Sequence, residues 1–298
     1  MDQLTLGVFS PSVLLEVARS SGRLAEAGLT VNEVPVPSSP AQFDVLRTGG
    51  YDAVFTSPDN ALAYRFLPGN PLGAMLDVEI VAGVDRGLGL CLCARGGAGD
   101  PQRLTGGILG VDVPNSGFAF VGYALLNRIG LSRDDFGIVP LGSTPRRADA
   151  LSSGGCDVTV LNAGNELTAL ARGGVRLADV TVLGPYLGTV VARMRQAPGA
   201  AAVDRLVEVL GATARAIRAG AADTAEAAAR VLGLAPEDAA AHVSVLCDPA
   251  RGLIDDGVVD VAALTTLVQL RRQFLPAPEL EHISDRFDEL VRPAALVG

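Results

Sequence analysis

The feature that most constrains this chain is that it repeats itself. Val34-Pro35-Val36-Pro37-Ser38-Ser39-Pro40 reads beside Val139-Pro140-Leu141-Gly142-Ser143-Thr144-Pro145, a shift of roughly a hundred residues. The register then runs without a gap. Leu46-Arg47-Thr48-Gly49-Gly50-Tyr51-Asp52-Ala53-Val54 matches Leu151-Ser152-Ser153-Gly154-Gly155-Cys156-Asp157-Val158-Thr159, and the match ends on Asn60 against Asn165. With small gaps, Ser10-Pro11-Ser12 sits near Pro114-Asn115-Ser116, and Gly28-Leu29 near Gly130-Leu131. A common strand–helix–strand grammar explains part of this by convergence. The shared Gly-Gly-x-Asp and Ser-x-Pro in one register favour duplication, and hence two similar lobes.

Each copy reads as β-α-β-α-β. In the first, a strand over 4–9 leads to a helix over 13–27, where Val13, Leu14, Val17, Leu24 and Ala25 recur at helical spacing. Gly28 suits a left-handed stop. A strand over 30–36 follows, then Ser39 as an N-cap with Pro40 in the first turn, then a strand over 53–56. The second copy predicts strands over 107–112, 136–141 and 157–161, with helices over 116–129 and 145–153. Strands alternating with helices favour parallel pairing with helices on both faces. Beyond residue 200 the chain turns alanine-rich. Val203, Leu206, Val207, Leu210, Ala214 and Ile217 make one stripe, Asp223 with Glu226 resembles a capping box, and Gly233 stops that helix. Pro236 opens another helix, and Val261, Leu264, Leu267, Val268 and Phe274 predict one over 258–275. These helices are expected to pack around the first lobe.

Composition excludes several chemistries. All 24 basic residues are arginine. A Schiff base to pyridoxal phosphate needs a lysine amine, and so does a P-loop. Neither is open to this chain acting alone. The formal net charge of −9 argues against nucleic acid and anionic membranes, which reward clustered basic residues. Cys91, Cys93, Cys156 and Cys247 are too few and scattered for a disulfide framework, and they read as free thiols. No apolar run reaches the roughly 18 residues of a membrane span. Asp2 and the immediate alternation of Leu4-Thr5-Leu6-Gly7-Val8 are unlike a leader. The numbered sequence is therefore expected to be cytoplasmic, or extracytoplasmic if a leader has been removed.

Ligands in open α/β sheets bind beyond the carboxyl ends of strands. There the first copy offers Ser10 and Ser12, Ser39, and Thr56, Ser57 and Asn60. The second offers Asn115, Ser116, Gly117 and Phe118, then Asn162 and Asn165. These small polar residues present hydroxyls, amides and open backbone N–H groups without bulk. The loops at Ser12 and at Ser116-Gly117 open helices, whose N-termini favour an anion. An ordinary N-cap explains any one of them equally well; their recurrence in both copies favours binding. Two Gly-rich linkers, over 82–89 and 183–189, add Arg86, able to grip an anion or to pair with Asp85, and Tyr186, able to cover a ligand or to pack between lobes. No catalytic, metal or cofactor constellation emerges. His242 has no acid at suggestive spacing, and His282 with Glu279, Glu281 and Asp285 reads as a solvated face.

Four stretches carry a resemblance: Gly49–Asn60, Gly83–Gly87, Gly110–Phe118 and Gly184–Tyr186. Through them the chain resembles type 2 periplasmic solute-binding proteins, in the branch of nitrate, sulfonate and taurine binders and thiamine-pyrimidine (NMT1-like) proteins. The resemblance implies an α/β, two-lobed periplasmic-binding-protein type 2 fold, each lobe a mixed, mainly parallel sheet flanked by helices. Lobe one would hold residues 1–84 and 190–298, and lobe two residues 85–189. It also implies hinge closure on a ligand and, for an exported chain, delivery to an ABC permease. Fungal hydroxymethylpyrimidine phosphate synthases of this fold use lysine-bound pyridoxal phosphate and a histidine, and Ser57 to Arg65 has neither residue. Aromatic sulfinate desulfinases use a cysteine where this chain has Ser10-Pro11-Ser12. The sequence thus favours binding of a small polar or anionic organic molecule. The alternative is a cytoplasmic biosynthetic enzyme on the same fold, with Asp59, Asp85, Asp112 or Cys91 as candidates.

Overall fold

The computed structural model describes residues 1–97 and 101–297. The first half runs β1 (Asp2–Val8), α1 (Val13–Ser20), α2 (Arg23–Glu26), β2 (Leu29–Pro35), α3 (Ser39–Arg47), β3 (Ala53–Thr56), α4 (Pro58–Phe66) and β4 (Val78–Asp85). The second runs β5 (Cys91–Ala94), β6 (Ile108–Val111), α5 (Gly117–Arg128), β7 (Gly137–Pro140), α6 (Thr144–Ser153), β8 (Val158–Leu161), α7 (Asn165–Ala171) and β9 (Val175–Asp179). After these come β10 (Thr189–Met194), α8 (Ala200–Arg218), α9 (Thr224–Leu232), α10 (Pro236–Cys247), β11 (Val259–Asp260), α11 (Val261–Phe274), α12 (Phe287–Leu290) and β12 (Leu296–Val297).

The strands form two five-stranded sheets of matching design, ordered β2-β1-β3-β10-β4 and β7-β6-β8-β5-β9. In each, the first three strands are parallel and the fourth is antiparallel to both its neighbours. Equivalent side chains do equivalent work. Asp52 Oδ2 accepts from Thr5 N at 2.7 Å, and Asp157 Oδ2 from Ile108 N at 2.8 Å. Gln42 Nε2 donates to the carbonyl of Phe55 at 3.0 Å, while Arg147 Nε and Nη2 donate to that of Val160 at 3.2 Å. Each such bond satisfies a strand group that the core would otherwise strand without water.

Element ends differ from expectation in three places. The helix predicted over 13–27 breaks at Ser21-Gly22, because the Ser21 hydroxyl donates to Val17 O and Gly22 turns left-handed at φ +78°. Ser38, not Ser39, caps α3, accepting from Ala41 N. The Asp223 capping box does not form; the Asp223 carboxylate accepts from Ser20 Oγ at 3.0 Å instead. Gly28 and Gly233 are left-handed as expected, at φ +69° and +66°.

Helices α8 to α10 pack on the β1 and α1 side, burying Val203, Leu206, Leu210, Ala214 and Ile217 with Leu4, Leu6 and Val17. By contrast, α11 does not sit on the first lobe alone. Its Phe274 stacks on Phe120 of α5 at 6.1 Å and meets Tyr123 edge-on at 5.4 Å. Its Arg271 grips Asp59 of α4 through two 2.7 Å bonds and lies over the Phe120 ring. An apolar stripe shows that a helix is buried but not against which partner, so this bridge was invisible in the pattern.

Candidate ligand-binding cleft

Between the carboxyl ends of the two sets of parallel strands lies a cavity of about 110 Å³. One water needs roughly 10–15 Å³ by the same reckoning, so the space suits a small molecule. From the first lobe it receives Ser10 and Ser12, Ser38 and Ser39, and Thr56, Ser57 and Asn60. The second lobe supplies Asp112, Phe118, Ser143, Thr144, Arg147 and Asn162. Asp85, Leu88 and Thr189 of the crossovers line it too, and Leu232, His242 and Leu246 of α9 and α10 form a further wall. The lobes approach over it: a Cβ added to Gly142 would lie 3.6 Å from the carbonyl oxygen of Pro37.

Helix N-termini converge here, and their capping differs. Ser12, Ser38, Ser57 and Ser116 each accept a hydrogen bond from their own helix. Ser143, at the head of α6, makes no such bond. The first-turn N–H groups of α6 therefore keep their capacity for an outside acceptor. Arg147 stands one turn further along, 2 % exposed. It donates to the carbonyls of Gly142 and Val160 and to Thr144 Oγ1, and no carboxylate lies within ion-pair distance of it among the described residues. Burial lowers its pKa from the usual arginine value, partly offset by the charge of Asp112. A buried guanidinium held by neutral acceptors, with Asp112 acting on it only through space, leaves positive charge partly uncompensated at the cavity wall.

The backbone beside the cavity is strained. Leu88 (φ +49°) and Ala163 (φ +55°) are non-glycine residues in the left-handed region, and Ala163 N donates to Leu88 O at 2.9 Å. Asn162 Nδ2 adds a bond to Gly87 O at 3.2 Å. Left-handed strain of this kind costs about 1–3 kcal/mol per residue and persists only where surroundings enforce it. The two crossovers also touch. A Cβ on Gly188 would lie 2.3 Å from Asp85 Oδ1 and 2.4 Å from Gly87 N, so only glycine fits. Burial raises Asp85 to about 6, although Thr189 and Gly87 donate to its carboxylate.

No protein-family model matches the sequence, and no curated protein does. Solved structures do match. The alkanesulfonate-binding protein SsuA from Xanthomonas axonopodis pv. citri, bound to MOPS, aligns with a TM-score of 0.71 at 18% identity, covering 99% of this chain and 98% of that one. A ligand-binding component of an ABC-type import system from Staphylococcus aureus gives 0.76 at 12% identity, with 99% and 98% covered. The periplasmic nitrate-binding protein NrtA from Synechocystis PCC 6803 gives 0.73 at 14%, with 97% and 86% covered. The chain has the periplasmic-binding-protein fold.

Within this binding-protein fold, Ser10, Ser12, Ser39, Thr56, Ser57, Asn60, Phe118 and Asn162 of the expected site line the cavity. The other six lie elsewhere. Arg86 and Tyr186 border a separate outer pocket behind the crossovers, beside Pro185 and Asp260. Asn115 is exposed. Ser116 donates to Asp112 Oδ1 at 2.5 Å, and Asn165 to the carbonyl of Asn162 at 2.9 Å. Gly117 meets Asp59: a Cβ there would lie 2.9 Å from Asp59 Oδ2. The head of α5 thus faces a carboxylate of the chain itself. Asp59 is spoken for by Arg271, and Cys91 lies inside the second sheet, 3.5 Å from Cys93. Arg147 and His242 were missed. The one signal for Arg147 was its register with Gln42, and Arg146-Arg147 in a helix otherwise reads as a solvated pair.

Proposed function

We propose that this protein binds a small organic anion, a carboxylate or a sulfonate, in the cleft between its lobes. The observation that carries this reading is Arg147, a buried guanidinium without a carboxylate partner beside the open N-terminus of α6. Serine, threonine and asparagine side chains surround it with neutral donors and acceptors, and Phe55, Phe118 and Leu88 give the ligand an apolar bed. Two of the three similar structures are named as binders of alkanesulfonate and nitrate, which supports an anion. An extracytoplasmic setting and delivery to an ABC permease are part of the same reading, supported by the periplasmic and ABC-import names of those structures. No helix among the described residues is long and apolar enough to cross a membrane.

Isothermal titration with ethanesulfonate and propionate tests it. Saturable one-to-one binding of at least one is expected. Arg147→Gln should weaken it at least about tenfold, the scale of a charge-assisted hydrogen bond. The variant should still fold, because Gln42 fills the equivalent place in the first lobe. Undiminished affinity in Arg147→Gln, or chemical conversion of the bound anion, contradicts the reading.

A further inference from the structure

His242 is the second buried polar side chain at the cavity whose needs the chain does not meet. It sits on α10, 1 % exposed, and makes no hydrogen bond to any described residue. Buried polar groups almost always have a partner, so an orphan at a cavity wall points to one that arrives with a ligand. Leu232 and Leu246 line the same cavity, and Gly164 of the opposite lobe lies close: a Cβ there would sit 3.6 Å from His242 Nδ1. Nδ1 is sealed without a partner. Nε2 is equally without a partner but is not fully sealed, so it is the nitrogen that a ligand in the cavity can reach.

Burial lowers the imidazole to about 4, which keeps it neutral at pH 7. A neutral imidazole carries one N–H and one lone pair. A sealed, unpaired N–H is a rarer defect than a sealed, unpaired acceptor, which places the proton on Nε2. The nitrogen facing the cavity is then a donor. No positive charge stands on this side to balance a second anionic group, and leucine surroundings penalise one.

Resting on the anion-binding reading above, we propose that His242 recognises an uncharged hydrogen-bond acceptor on the ligand. The ligand class is then a monoanion on an apolar body that ends in an ether, carbonyl or ring-nitrogen acceptor. Arg147 and the head of α6 hold the charged end, and His242 Nε2 the uncharged one.

Three sulfonates separate the claims by isothermal titration at pH 7.5: ethanesulfonate, benzenesulfonate and pyridine-3-sulfonate, which differs from benzenesulfonate by one ring-nitrogen acceptor. The wild-type protein should prefer pyridine-3-sulfonate to benzenesulfonate by about tenfold, the scale of one buried hydrogen bond. His242→Leu should abolish that preference, bringing benzenesulfonate and pyridine-3-sulfonate to equal affinity. In the wild-type protein, the ¹⁵N spectrum of His242 should show the Nε2–H tautomer and respond to the pyridine probe more than to benzenesulfonate. A wild-type protein without the preference, a preference surviving in His242→Leu, or an Nδ1–H tautomer overturns the proposal. If ethanesulfonate alone binds, the anion reading stands and this inference falls. If none of the three binds, this inference falls, and if propionate fails as well the anion reading falls with it.

Discussion

Gln42 and Arg147 show how one position in a duplicated unit diverges. Both reach the carbonyl of an equivalent strand residue, but only Arg147 brings a charge into the cavity wall. Glu166 is the other residue whose setting sets a measurable property. It is fully buried, Oε2 accepts from Gly164 N at 2.9 Å, and Oε1 has no partner. Burial raises it to about 7, against the pull of Arg176 and Arg251. Its folded pKa stands above its ordinary value, so its contribution is present in acid and lost as pH rises through about 7. The full effect is on the order of 3 kcal/mol. Glu166→Gln should match the wild-type melting temperature at pH 5 and exceed it by on the order of 5 °C at pH 8.5. A gap independent of pH would contradict a buried, ionising carboxyl. His242 has the opposite sign: its folded value of about 4 lies below the ordinary 6.5, so its contribution is lost as pH falls between the two.

At the scale of elements, the crossovers and α11 decide how the lobes are joined. Segment 251–257 runs along the first crossover: Arg86 N and Leu88 N donate to the carbonyls of Gly252 and Arg251. Gly188→Ala would push a methyl into Asp85 and Gly87, so the melting temperature should fall by several degrees and binding should weaken together. Unchanged values for both would show that the crossovers separate freely. The Asp59–Arg271 pair is the buried link from α4 to α11. Arg271→Leu should cost about 3–5 kcal/mol by leaving Asp59 unpaired, and adding Asp59→Leu should recover much of it. Chemical denaturation of the two variants checks this; a double variant no more stable than the single one would contradict it. The sequence revealed the bounds of the second-copy strands and helices to within about two residues, because glycine stops and serine caps are local signals. It did not reveal the α11 bridge, which depends on contacts across hundreds of residues.

For the whole molecule, the duplication was the most legible property. It foretold two sheets of one design, and the small polar loops at strand ends supply part of the cavity lining. Arg147 and His242 were not legible, because burial without a partner is a property of the assembled fold and leaves no mark on spacing. The same holds for Arg86, whose neighbours in sequence suggested a cleft but which lines the other pocket. In the function proposed above, the cleft holds a small organic anion and releases it unaltered. Native mass spectrometry of the gently purified full chain tests this most directly. A single bound molecule per chain is expected, released on denaturation as an unmodified carboxylate or sulfonate, and absent from Arg147→Gln. A co-purifying cation or neutral sugar, or an anion that rebinds and emerges chemically changed, would contradict it.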